Sequence, residues 1–176
     1  MNKLLPRGLR NNNPLNIVWN KNNQWVGQSD ARTDKVFCEF KEIRHGWRAA
    51  FLLLRRYYLR WDIETVRDVI FRWAPTSENN SQAYYERVVE LMKINGPVFN
   101  QSEDKWNELL TGKLPPWRSH PHFYMALAYS MALIENGVSH ISPLPLFEGY
   151  SMAAMSLDKG SGSGETEIIE LDPIKS

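Results

Sequence analysis

Four asparagines, Asn11, Asn12, Asn13 and Asn16, stand close together in the stretch RNNNPLNI near the start of the chain. Asparagine is a poor helix former and a poor strand former, so the block reads as irregular backbone. Its amides can satisfy the loop's own backbone in Asx-turn fashion. They can also serve recognition: a side-chain amide donates and accepts at once, which matches sugar hydroxyls and N-acetyl groups. Trp19 and Trp25 follow within a few residues and offer flat faces for sugar rings.

Carboxylates supply the reactive half of such a site. Glu78 lies in RWAPTSENNSQAYY, between a proline-terminated helix and the start of the next. An acid there can serve the helix macrodipole. Set against Trp73, Tyr84 and Tyr85, it can also have its charged form destabilised and act as a general acid. Asp30, Asp34, Glu39 and Glu42 flank or occupy a strand-like run. Glycoside cleavage uses one acid with a second carboxylate or a positioned water. The candidate catalytic residues are therefore Glu78, Asp34 and Glu39, and the candidate substrate-binding residues are Asn12, Asn13, Asn16, Trp19, Trp25 and Tyr84.

Other chemistries find no support. The one cysteine, Cys38, sits in the alternating run VFCEF and reads as a small core residue. His45 and His140 are isolated, and Pro121 at a helix start accounts for the spacing of His120 and His122, so no metal site is expected. No phosphate loop, nucleophile elbow or dinucleotide fingerprint occurs, and no cofactor is expected. A formal net charge of +1 argues against nucleic acid as a partner. No apolar run approaches the ~20 residues that span a bilayer, so no membrane role is expected. The segment MNKLLPRGLR has no apolar core of a secretory signal. The protein is expected to be made in the cytoplasm, and if it works outside, something else carries or releases it.

These side chains need a frame. NIVW, the polar turn NKNN and QWVG read as a hairpin. In KVFCEF, Val36, Cys38 and Phe40 alternate against Phe37 and Glu39, completing a three-stranded antiparallel sheet. From Ile43 the period changes: Ile43, Trp47, Ala50, Leu54 and Tyr57 mark a buried helix with Arg48, Arg55 and Arg56 at its edge. Thr65 and Asp68 form a capping box for the next helix, which stops at Ala74-Pro75. Ser77 or Asn80 caps a helix striped by Tyr84, Val88, Leu91 and Met92, and Asn95-Gly96 stops it. Ser102 caps a shorter helix ended by Gly112. Pro121 opens an all-round apolar helix that Asn136-Gly137 ends. SPLPLFEGY reads as extended, and a Gly/Ser linker with an acidic end follows. The expected fold is α+β, a small N-terminal antiparallel sheet on a bundle of about five helices, with one domain over residues 1–145 and a tail over 146–176.

In order, RGLRNNNPLNI, Trp25 to Gly27, TDKVFCEF, HGWRAAFLLLRRY, TVRDVIFRWAP and SENNSQAYYERV resemble small lysozyme-like proteins of phages, prophages and conjugative elements. The likeness covers roughly residues 7–90. A more distant similarity is to autolysin-type glucosaminidases, which share an asparagine loop, an aromatic strand and a tyrosine-bearing helix start. The resemblance implies a lysozyme-like fold and cleavage of peptidoglycan glycan strands, by a muramidase, glucosaminidase or lytic transglycosylase. The alternative is a non-catalytic structural or glycan-binding component of a virion or injection machine. The C-terminal tail would then reach virion or secretion-machine subunits. In those glucosaminidases a catalytic Glu closes a helix just before the asparagine loop, whereas MNKLLPRGLR contains no acid.

Overall fold

A computed structural model describes residues 5–60, 63–76, 80–99 and 103–158. Helices dominate: α1 (Arg7–Arg10), α2 (Ile43–Arg60), α3 (Val66–Trp73), α4 (Ser81–Asn95), α5 (Glu103–Thr111), α6 (Pro121–Asn136) and α7 (Leu144–Asp158), with a 3-10 turn over Gly96–Phe99.

The expected sheet is not there. Among the described residues, residues 11–42 hold no strand, only isolated antiparallel bridges pairing Val18 with Phe37 and Gln28 with Phe40. The protein is a helical bundle, and the α+β reading is corrected. The reason lies in the same asparagines. Asn13 Nδ2 takes the carbonyls of Ile17 and Cys38, Asn12 Nδ2 takes that of Phe40, and the Phe40 N–H donates to the carbonyl of Asn11. Cys38 N–H still reaches the Ile17 carbonyl and Trp19 N–H the Val36 carbonyl, but the amides take the Cys38 and Phe40 carbonyls that a longer ladder would pair. Asn12, Asn16 and Arg32 also hold positive φ, which bends each segment out of extended geometry. The period-2 pattern still predicts two inward positions, because Cys38 and Phe40 are buried. Val36, of the same phase, is exposed.

The helical frame follows its sequence signals more closely. On α2, Trp47, Ala50, Leu54 and Tyr57 are buried, and Arg48 is buried with them rather than at the edge. The Thr65 hydroxyl accepts the Asp68 N–H while the Asp68 carboxylate accepts the Thr65 N–H, giving α3 its capping box. Asn80 caps α4 through the Ala83 N–H. Ser77 and Ser102, the other caps read from the sequence, fall outside the described residues. Gly137 ends α6 in the left-handed conformation, φ 59°. Gly96 behaves differently from its expected role as a stop. It keeps right-handed helical angles and leads into the 3-10 turn, pressed so closely on the Trp106 indole that a Cβ has no room.

Helix α6 is the centre of the molecule, with Phe123 through Leu133 buried without interruption. It packs on α4, α2, α7 and α1. The stretch read as extended, from Ser142, instead enters α7, which lies along α2 in the most extensive helix pairing of the fold. Tyr150 of α7 meets Phe51 of α2 edge-on at 5.1 Å and Trp117 at 5.2 Å. Its period is hard to read because α7 is apolar and small-residue-rich, with Pro145 inside its first turn. Proline there costs no helical hydrogen bond.

Candidate functional site

The asparagine loop is stitched to the bundle by its amides. Asn13 is fully buried, and its Oδ1 accepts the Ile17 N–H at 2.9 Å while its Nδ2 serves Ile17 and Cys38. Asn12 Nδ2 donates to the Phe40 carbonyl at 2.9 Å. Asn16 Nδ2 donates to Glu135 Oε2 at 3.0 Å, and Tyr84 Oη donates to Glu135 Oε1 at 3.0 Å. Asn136, next along α6, donates to the Pro14 carbonyl at 2.8 Å. Two predicted binding residues, Asn16 and Tyr84, thus converge on one carboxylate at the end of α6. Burial, and then the Glu135 charge, push the Tyr84 phenol well above its ordinary range, so it remains a donor.

Asp34 faces the other side of the loop. Arg7 Nε and Nη2 each donate to it at 2.6 Å, a bidentate pair, and Asn11 Nδ2 donates at 2.7 Å. Its Oδ1 also accepts the N–H groups of Val36 and Phe37. The Arg7 hydrogen bonds, helped by these donors, hold the carboxyl far below the usual carboxylate range despite its burial. Glu39 is adjacent: its carboxylate accepts the Thr33 hydroxyl and the Asp34 N–H. Burial pushes Glu39 up, but these hydrogen bonds leave it lowered on balance. A general acid needs its proton near neutral pH. That is the role read for Glu78; Asp34 and Glu39, read as the second carboxylate, are held ionised, with their oxygens taken up by internal donors. Glu78 falls outside the described residues.

Trp19 and Trp25 are placed elsewhere. They share the wall of an open hollow of about 390 Å³ formed by residues 19–32. Trp25 is buried, whereas Trp19 is partly exposed with the Arg32 guanidinium 3.4 Å from its ring centre. The six candidate binding residues therefore divide between two places. Neither Asn12 nor Asn13 lines the hollow. Burial pushes the Cys38 thiol up to about 12, which keeps it protonated and unreactive. Among the described residues no group of His, Cys, Asp and Glu is arranged to hold a metal ion, and no helix is long and apolar enough to cross a membrane.

Arg7 and Glu135 are the residues that sequence reasoning passed over, and Asn11, though read as part of the asparagine block, was not among the candidate binding residues. Asn136 was legible only as a helix terminator. Glu135 gave no local signal, since its partners lie 119 and 51 residues away.

No protein-family model matches the chain. The chain is similar to a phage protein. That protein is Protein P5 of Pseudoalteromonas phage PM2, to which it is 44% identical over 80 residues, 44% of this chain and 50% of the relative. The chain thus matches about half the length of that relative.

Proposed function

We propose that this protein is a non-catalytic component of a phage particle or of a phage-derived injection machine. The observation that carries the reading is the 44% identity to Protein P5 of a phage. The wiring of the carboxylates supports the non-catalytic half. Asp34 and Glu39 serve as acceptors that fasten residues 7–39 together, and half-buried carboxylates whose oxygens are taken up by internal donors act as structural elements. In such a protein the amide stitching makes a loop-rich surface rigid enough to hold a fixed place among neighbouring subunits. The experiment is mass spectrometry of gradient-purified particles from cells carrying the native element. The protein is expected to band with the particles. Recovery only from the soluble lysate contradicts the proposal.

A second reading, cleavage of the peptidoglycan glycan strand, is favoured by Glu135. Its carboxylate stands at the asparagine loop from the end of α6, and residues 1–10 carry no acid. Purified sacculi incubated with the protein separate the two readings. Soluble muropeptides released by the wild type and lost in Glu135→Gln establish cleavage; none from the wild type leaves the structural role.

A further inference from the structure

Apolar side chains gather at one end of the bundle, where the core does not use them. Ile94 and Val98 are 62% and 55% exposed. Gly96 keeps right-handed helical angles between them, so the four-residue spacing sets both on one face, with exposed Pro97 beside them. The 3-10 turn is joined to the start of α7 by Phe99, whose ring centre lies 6.0 Å from that of Phe147. Leu144, about one helical turn before Phe147, is 65% exposed. Single exposed apolar residues are ordinary, but several flanking one seam mark a contact surface. Lys93 borders the strip, and its ammonium forms no ion pair among the described residues. The nearest acid along the helix, Glu90, is held by Arg87.

The chain itself carries a segment of matching chemistry. Glu167-Ile168-Ile169-Glu170-Leu171 follows α7 and lies outside the described residues. In an extended segment Ile169 and Leu171 share a face, and the two glutamates carry the charge opposite to that of Lys93. Geometry chooses between the chain's own strip and that of a neighbour. The strip borders the first turn of α7, whose 15 residues end at Asp158. At 1.5 Å per residue those two ends are about 22 Å apart. Residues 159–167, which include the run GSGSG, link Asp158 to Ile168. Nine residues of Gly/Ser-rich composition span roughly 15–18 Å r.m.s.. Docking on its own bundle requires this linker to reverse direction and to cover more than that span. A neighbour whose strip sits beyond Asp158 requires neither.

We propose that residues 167–171 of one copy dock on the Ile94–Val98–Leu144 strip of the next, joining copies head to tail. Ile169 and Leu171 cover the apolar side chains, and Glu167 or Glu170 meets Lys93. Such a contact is heterologous, with a different surface on each partner, so it can repeat from copy to copy. A patch of this size binds weakly by itself and gains strength when many copies are held together. The contact belongs to the purified chain and does not depend on the phage-particle reading.

The test is sedimentation velocity of the full chain over a concentration series reaching the millimolar range. The mean mass is expected to rise with concentration. Val98→Asp on the strip, and Ile169→Asp combined with Leu171→Asp on the tail, should each weaken association at least tenfold. Val98 is exposed and the tail lies beyond the bundle, so neither change disturbs the core. An equimolar mixture of the two variants keeps one working strip and one working tail. It should therefore form a heterodimer and nothing larger. A wild-type chain that stays monomeric throughout overturns the proposal, whether its tail is free or folded on its own strip. So does association that both variants retain. A mixture that stays monomeric overturns it too, since that is the behaviour of strips that pair with each other.

Discussion

Asp34 takes five hydrogen bonds, from Arg7 Nε and Nη2, Asn11 Nδ2 and the N–H groups of Val36 and Phe37. Removing it in Asp34→Ala strands these donors and should cost about 1–3 kcal/mol, read from denaturant midpoints. Its depressed pKa also fixes a pH dependence. The folded carboxyl titrates below its unfolded value of about 3.9, so its stabilisation is present above that pH. As pH falls toward the folded value, that stabilisation is lost. Melting temperature is therefore expected to decline from about pH 4 downward, and Asp34→Asn should flatten this decline while lowering stability near pH 7. An unchanged acid slope in Asp34→Asn contradicts the ion-pair assignment. Asn13 makes a parallel case: Asn13→Ala leaves the Ile17 N–H and the Cys38 carbonyl unpaired, while the Ile17 carbonyl keeps the Cys38 N–H, at about 1–3 kcal/mol. The asparagine block was legible as irregular backbone with working amides. Which partners those amides take was not, because most of them are brought close by folding rather than by sequence proximity.

The helices were the readable elements. Capping box, proline start and left-handed glycine stop are local, and α3 and α6 follow them. Thr65→Ala should cost about 1 kcal/mol through loss of the cap, read as a lower melting temperature with α3 amides exchanging faster. The sheet and α7 were the unreadable ones, for opposite reasons. Residues 15–40 carry strand-like alternation, but side-chain amides and positive φ interrupt the ladder. Residues 144–158 carry proline and glycine, and only packing on α2 reveals why. Gly149 lies against Trp47 Cβ, the Arg44 carbonyl and the Arg48 N–H, leaving no space for a side chain. Gly149→Ala must push two helices apart, and overpacking of this kind costs about 1–3 kcal/mol. Equal stability of Gly149→Ala and wild type in urea would show that the helices do not meet this closely.

In the whole molecule, α7 and the asparagine loop both brace the bundle. The loop is tied to α6 through Asn16–Glu135 and Asn136–Pro14, and α7 covers α2 through Tyr150 and Leu146. A chain ending at residue 143 would expose the α2 face under α7, including Trp47 and Phe51, and is expected to lose cooperative unfolding. Such a rigid bundle, with its loop carboxylates committed to internal hydrogen bonds, suits a part that is built into an assembly. The most direct measurement is the quantity of this protein in particles of the element that encodes it, by quantitative mass spectrometry after a high-salt wash. A fixed number of copies per particle, retained through the wash, is the expected result. A protein absent from washed particles and confined to the lysate would contradict the structural role.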